Sequence, residues 1–226
     1  MANSTLATMN HRAMIVVGGG ASSRFGGDKL LTSIAGRPLV AHTVETVGTK
    51  VERCILVCRP DQMEDLSALK ASVDLVPGAD SRTGSELAGL TALEDSYELI
   101  GIHDAARPLV SSELIDQLFA AAEEHGGAVP LVDPNEPVVD RSALRPIAVK
   151  AAQTPQVFRS GALRAAYAQA KAEGVEGHDT AEIVGRYTDC AIFGVPGSPD
   201  NIKVTFREDL AVVEDLIRAR AHTEPR

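Results

Sequence analysis

The segment Ala13-Met14-Ile15-Val16-Val17, running directly into Gly18-Gly19-Gly20, limits the folds open to this chain more than any other stretch. Five apolar residues with a β-branched centre suit a buried strand, and contiguous glycines suit a loop whose backbone N–H groups can approach a chain of phosphates. The glycines lack the side chains that would hold a polyphosphate off, and Arg24 and Lys29 bring two cations to the same loop. A strand, a phosphate-binding loop and a following helix are therefore expected. Neither of the two best-known phosphate loops matches. The dinucleotide fingerprint has spaced glycines, whereas these are contiguous; a P-loop needs a hydroxyl after its lysine, and Leu30 follows Lys29. Read without a ligand, the same residues describe a glycine-rich βα turn carrying two solvated cations.

Beyond the loop the chain alternates between apolar runs and amphipathic stretches. Further strands are expected at 54–58, 73–76, 99–102, 128–132, 190–195 and 202–204. Helices are expected at 38–47, with Pro38 at the first position, at 61–70 and at 162–172. Further helices start at a capping box of Thr83 with Glu86, at Ser111 or Ser112, at Asp179 with Glu182, and at Thr205 with Glu208. Such alternation predicts an α/β fold: a doubly wound, mostly parallel, Rossmann-like sheet in a single domain over residues 13–226, with residues 1–12 flexible.

The overall numbers suit a globular enzyme. At 226 residues the chain is long enough for one sizeable core, burying about 70 to 75% of its unfolded surface. No apolar run approaches the length of a membrane span, and residues 1–12 lack the apolar region of a secretory signal, so a cytoplasmic location is expected. A formal net charge of −9 argues against nucleic-acid and anionic-membrane partners, so an anionic ligand must be held by a local cluster. Cys54, Cys58 and Cys190 lack paired metal-ligand spacing; Cys54 and Cys58 share a strand face as core thiols.

Ligands in such sheets lie beyond the carboxyl ends of the strands. Three loops should therefore meet on one rim: the glycine loop, Gly78-Ala79-Asp80-Ser81-Arg82, and His103-Asp104-Ala105-Ala106-Arg107-Pro108. An Asp directly after an apolar strand suits a Mg²⁺ that bridges phosphates, because that ion takes few protein oxygens and leaves the rest to water and phosphate. Asp104 is the candidate, with Arg107 as a second anion grip. The plainer reading is that Asp104 caps a turn and pairs with Arg107.

The arrangement G-G-G-x-x-x-R-x-G-x-D-K over residues 18–29 resembles the signature loop of nucleotidyltransferases that make NDP-sugars and related activated compounds. Further segments narrow the likeness: Ser81-Arg82-Thr83-Gly84-Ser85 with Ala88-Gly89-Leu90, the His103 to Pro108 loop, Gln153-Thr154-Pro155-Gln156-Val157-Phe158, and Asn201-Ile202-Lys203-Val204-Thr205. In that order the chain resembles the 2-C-methyl-D-erythritol 4-phosphate cytidylyltransferase family, which uses CTP in non-mevalonate isoprenoid synthesis. The resemblance implies that Gly18, Gly19 and Gly20 lie along CTP, with Ser22, Arg82, Ser85 and Ala105 in the binding set. It implies that Arg24, Lys29 and Lys203 act on the reacting phosphates, and that Asp104 faces metal and substrate. Arg107 and Thr154 would touch the sugar-alcohol phosphate. It also implies Mg²⁺ as cofactor, and a homodimer in which an arm at about 133–152 completes the neighbour's site.

Departures fall on the acceptor side. Asp133 is followed by Pro134, and Val139-Asp140-Arg141 lies farther from Gln153 than in the family, so Arg141, Arg145 and Lys150 compete as the arm cation, with Arg145 chosen as catalytic. His178 precedes Asp179 where the family has threonine. Two other readings compete: transfer to another acceptor, such as ribitol 5-phosphate or a molybdopterin, and a non-catalytic nucleotide-binding protein. Gln153 to Gln156 and Asn201 to Thr205 stand against the molybdopterin, and the presence of Arg24, Lys29, Asp104 and Lys203 stands against the non-catalytic protein.

Overall fold

Apolar residues that alternate along the central strands face two separate cores, which is what places helices on both sides of one sheet. A computed structural model describes residues 11–20, 24–142 and 145–223. Strand β1 (Arg12–Val17) is followed by a small hairpin, β2 (Ser33–Ile34) and β3 (Arg37–Pro38), and by helix α1 (Leu39–Gly48). Then come β4 (Arg53–Cys58), β5 (Asp74–Pro77), α2 (Arg82–Ala92), β6 (Leu99–Asp104), α3 (Ser112–His125) and β7 (Gly127–Val132). The last part holds β8 (Ala151–Ala152), β9 (Gln156–Arg159), α4 (Ser160–Glu173), α5 (Thr180–Tyr187), β10 (Ile192–Pro196) and α6 (Asp209–Thr223).

The main sheet runs β10-β7-β9-β6-β1-β4-β5, with β8 added on β7. All pairings among β1, β4, β5 and β6, and between β7 and β10, are parallel; β9 lies antiparallel between β6 and β7. Met14, Val16, Cys54, Leu56 and Cys58 join one core with α1 and α3, while Ala13, Ile15, Ile55, Val57, Ile100 and Ile102 join the other with α2, α4 and α5. The doubly wound reading and the core-thiol reading of Cys54 and Cys58 both hold. After β1 the chain moves to one side through β4 and β5, then returns to lay β6 on the other, with Val17 opposite Asp104. That reversal opens a crevice at the carboxyl ends of β1 and β6.

The structure differs from the sequence reading in several elements. Residues 61–70 form two short 3₁₀ turns, Pro60–Gln62 and Ser67–Ala71, instead of an α-helix. A ten-residue helix is marginal on its own, and here the Gln62 side chain is drawn off to Asp28, 2.8 Å from both carboxylate oxygens. Residues 202–204 form no strand; they are held as a loop, with Val204 N donating to Ala106 O at 2.8 Å. The helix after residue 80 is capped by Ser81, whose hydroxyl accepts from Gly84 N, while Thr83 and Glu86 bond elsewhere. Asp209, not Glu208, closes the last turn by accepting from Thr205 N and Phe206 N. Strand β9 was absent from the sequence reading. Arg12, expected in the flexible lead, already pairs with Leu99 in the sheet; residues 1–10 lie outside the described residues.

Candidate active site

Close backbone approach explains two of the three glycines. A Cβ on Gly18 would sit 3.2 Å from Val57 O and 3.3 Å from Ala105 Cβ, and one on Gly19 would sit 2.8 Å from Ser85 Oγ. Among the described residues, a Cβ on Gly20 would meet nothing within 4 Å. Ser85 fixes the turn opposite, its hydroxyl lying 3.1 Å from both Ala79 N and Ala79 O. Between these walls lies a cavity of about 310 Å³, lined among others by Gly18, Gly19, Gly20, Arg24, Lys29, Arg82, Ser85, Asp104 and Lys203. Four segments far apart in sequence thus reach one space. Ser22 lies outside the described residues.

Asp104 is the electrostatic centre of that cavity. Its carboxylate is 8% exposed and receives Arg82 Nη1 at 2.8 Å, Lys203 Nζ at 2.9 Å and Arg107 Nε at 3.2 Å. Burial alone would raise its proton affinity, but Lys203, Arg82 and Arg107 reverse the shift and hold the carboxyl well below the usual range. Lys29 shows the opposite pressure: burial, then Lys203 and Arg24, lower its pKa, against the pull of Asp104. Its Nζ donates to Val204 O at 2.9 Å, which ties the glycine-loop side to the segment bearing Lys203.

Arg107 and Thr154 stand behind Asp104. Arg107 Nη1 donates to Asn201 O at 2.7 Å, and Thr154 Oγ1 accepts from Asp104 N at 3.0 Å. His103, wholly buried, connects them, with Nε2 3.2 Å from Arg107 O and Nδ1 3.0 Å from Thr154 Oγ1. The Arg107 carbonyl can only accept, so Nε2 carries the proton and Nδ1 receives the Thr154 hydroxyl. Burial pushes the His103 pKa down to about 4, keeping this imidazole neutral. Ala105 is likewise buried and acts through its backbone, with N donating to Val17 O at 3.0 Å and O accepting from Thr43 at 2.9 Å.

Lys203 owes its position to a clamped loop. Gln153 Nε2 donates to Ser198 O at 2.8 Å, and Asn201 Nδ2 donates to Thr154 O at 2.8 Å. Asp28, part of the phosphate-loop signature, turns away from the cavity to Gln62 and to Arg59 Nη2 at 3.0 Å, which makes it a structural anchor. Arg145 stands on an exposed excursion made by the described residues of 133–150, where Asp140 N donates to Arg145 O at 2.9 Å and Ile147 N to Val138 O at 2.8 Å. It does not line the cavity of its own chain.

The sequence reading missed the buried partners of Arg82. Glu86 is 1% exposed; its carboxylate accepts from Tyr167 Oη at 2.5 Å and Thr180 Oγ1 at 3.2 Å, and lies 3.0 Å from Arg82 Nε. The available signal was an Arg followed four residues later by Glu on the helix face that packs on the sheet.

A phosphate loop at the switch point of a Rossmann-like sheet, facing Arg24, Lys29, Arg82 and Lys203, defines the class: an α/β nucleotidyltransferase. The family model for IspD, 2-C-methyl-D-erythritol 4-phosphate cytidylyltransferase, matches residues 12–219. The chain belongs to that family. It is 36% identical to the Cereibacter sphaeroides 2-C-methyl-D-erythritol 4-phosphate cytidylyltransferase, over 92% of this chain and 98% of that protein. Identity to the Bacillus velezensis enzyme of the same name is 32%, over 90% of this chain and 94% of that protein. In fold it is similar to the 4-diphosphocytidyl-2C-methyl-D-erythritol synthase of Anaerococcus prevotii, with a TM-score of 0.82, 24% identity, and 93% of this chain and 99% of that one covered.

Proposed function

We propose that this chain transfers CMP from CTP to 2-C-methyl-D-erythritol 4-phosphate and releases pyrophosphate. The observation that carries the reading is the convergence of Arg24, Lys29, Arg82 and Lys203 on one cavity around a single buried carboxylate. The second pKa of a phosphomonoester is about 6, so at neutral pH the acceptor is already a dianionic nucleophile and needs no strong base. One of its oxygens forms a bond to the α-phosphorus of CTP while the bond from that phosphorus to the bridging oxygen breaks, and the electron pair leaves with pyrophosphate. Charge grows on the non-bridging oxygens and on the leaving group. Lys29, Lys203 and Arg24 line that space and oppose this charge, while the backbone at Gly18, Gly19 and Gly20 lets the phosphates come close.

Mg²⁺ is part of this reading. Among the described residues no cluster of three His, Cys, Asp or Glu side chains could hold a resident metal, and both oxygens of Asp104 already face cations. That donor set fits an ion that arrives with the triphosphate, is ligated mainly by phosphate and water, and takes Asp104 as its one carboxylate. When bound it would neutralise charge on the triphosphate. The arm at residues 133–152 is read as reaching a second copy of the chain: Val138, Val139, Ile147 and Val149 are exposed on it at 39 to 46%. Arg145 would then serve the partner's cavity. A cytoplasmic site of action completes the reading; among the described residues no helix is long and apolar enough to cross a membrane.

Pyrophosphate release, followed with each of the four NTPs and with 2-C-methyl-D-erythritol 4-phosphate or ribitol 5-phosphate as acceptor, tests the proposal. CTP with the methylerythritol phosphate should dominate and should stop when EDTA is added. Faster release with ribitol 5-phosphate, or with another nucleotide, would overturn it.

A further inference from the structure

A charged residue in the middle of an apolar helix–sheet interface is costly unless something requires it, because an ion taken out of water loses several kcal/mol of hydration before any partner repays it. Glu86 is such a residue. It leaves α2 on the side that packs into the core with Leu90, Leu163, Ala166 and Ala170, and it is 1% exposed. Tyr167, wholly buried on α4, gives it one hydroxyl, and Thr180 at the start of α5 gives it another. Its remaining neighbour is Arg82, the guanidinium that lines the nucleotide cavity and reaches Asp104 at 2.8 Å. Two buried carboxylates therefore flank one arginine, one in the site and one beneath it.

We propose that Glu86, held in place by Tyr167, is a positioning residue that fixes Arg82 for nucleotide binding. With Asp104 alone, Arg82 would have a single anchor already shared with Arg107 and Lys203. Glu86 supplies a second, from the side away from the cavity, so the guanidinium stays on the wall when incoming phosphates and Asp104 compete for it. The contact acts charge against charge: Arg82 Nε lies 3.0 Å from Glu86 Oε1 yet makes no aligned hydrogen bond. Replacing Glu86 by glutamine thus keeps shape and acceptor while removing what matters. The neighbouring loop is tied to the same helix turn by Gly177 N donating to Thr83 Oγ1 at 2.9 Å and by Ser81 Oγ donating to Glu176 at 2.7 Å, so α2 has little freedom to compensate. The inference rests on the cytidylyltransferase reading, which the wild-type assay decides first.

The test is a double-mutant cycle on the full chain, with kcat and KM for CTP and for the acceptor phosphate measured well below the melting temperature. Glu86→Gln should lower kcat/KM for CTP about tenfold, a typical coupling between contacting charged groups, mainly through KM for CTP, with KM for the acceptor little changed. Arg82→Met, which removes the charge, should lower it too, but adding Glu86→Gln to Arg82→Met should then change it less than about twofold. Tyr167→Phe preserves the core volume, removes only the hydroxyl, and should give a smaller loss with the same dependence on Arg82. A lowered melting temperature with unchanged kinetic constants, or an equal loss from Glu86→Gln with and without Arg82, would assign Glu86 to stability alone and overturn the proposal. An inactive wild-type chain would refute the cytidylyltransferase reading instead.

Discussion

Asp104→Asn gives the most discriminating perturbation, because one atom changes and opposite effects are expected in the free and the nucleotide-bound protein. The carboxylate is 8% exposed and meets Arg107 at 12% side-chain exposure and Arg82 at 28%. A charge-assisted hydrogen bond of that kind contributes about 1.5 to 3 kcal/mol, and the Lys203 pair, 38% exposed on the lysine side, adds about 1 kcal/mol or less after solvent screening. Asparagine keeps one acceptor oxygen but turns an N–H toward the cations, so the free protein should lose about 3 kcal/mol, near the lower end for breaking a buried pair. For a domain of this size that is a fall of about 6 to 12 °C in melting temperature. Adding CTP in EDTA should raise the melting temperature more in the variant than in the wild type, since the triphosphate then supplies the anion that Asp104 no longer does. Turnover should nevertheless fall by about 100-fold or more, because Lys203 then loses its carboxylate partner and Arg82 keeps only Glu86, so the two cations are no longer held in register behind the phosphates. Scanning fluorimetry with and without CTP reads both stability effects in one plate. A variant that melts like wild type in the absence of CTP, or that gains less from CTP than wild type does, would refute the account of Asp104 as the internal counter-charge.

Four further expectations follow from other parts of the site. Gly19→Ala places a Cβ 2.8 Å from Ser85 Oγ and should weaken CTP binding about tenfold, with a small change in melting temperature, as titration calorimetry would read. Lys29→Ala and Arg24→Ala should each lower kcat by about 100-fold or more while the fold survives; near-normal rates would remove both from the chemistry. His103 is neutral and buried with its pKa pushed down to about 4 from 6.5, so between those values the unfolded chain binds the extra proton; stability, complete above pH 6.5, should fall by about 3 kcal/mol as pH drops through the window. Above about pH 5 Asp104 stays ionised in both states, so a urea-midpoint slope between about pH 5 and 6.5 that His103→Gln leaves unaltered would contradict this assignment. Arg145→Ala and Lys29→Ala proteins, each weak alone, should recover activity when mixed if the arm of one copy serves the cavity of another; failure to recover in mixtures shown to exchange subunits would count against the shared site.

Much of this architecture was legible because its signals are local. Ala13 to Val17, Cys54 to Cys58 and Leu99 to Ile102 are apolar on both strand faces, and only a sheet covered on both sides can bury both faces at once. The rim followed from the same logic, since Gly18 and Arg82 come directly after a strand or its turn and Asp104 closes one. What escaped was decided by distant partners. Strand β9 spans four residues, too few for a period to register, and its place between β6 and β7 is set by Val157 and Phe158 being wholly buried. The stretch around Lys203 alternates like a strand, but Gln153, Arg107 and Lys29 take its polar backbone groups or its neighbours', so it runs as a clamped loop. Thr83 and Glu86 have the spacing of a capping box, yet Glu86 is taken by Tyr167 and Arg82 and the cap passes to Ser81. Glu86 is the clearest instance: a side chain that local pattern assigns to its own helix is claimed by Tyr167, 81 positions on.

The same long-range pairing explains how a cavity built to attract anions can exist before any anion arrives. Arg24, Lys29, Arg82 and Lys203 share about 310 Å³, and like charges at that spacing repel; the proton affinity of Lys29 is lowered first by burial and then by Lys203 and Arg24. Asp104, with Glu86 beneath Arg82, offsets it from within, and both carboxylates are fixed by groups that do not face the cavity: Thr154 and Arg107 for Asp104, Tyr167 and Thr180 for Glu86. A triphosphate entering this space therefore meets cations already oriented, and it displaces an internal counter-charge instead of ordering four flexible side chains. Preorganisation of this kind is what electrostatic stabilisation of a phosphoryl-type transition state requires, because a cation that had to move as charge developed would return much of its benefit as reorganisation.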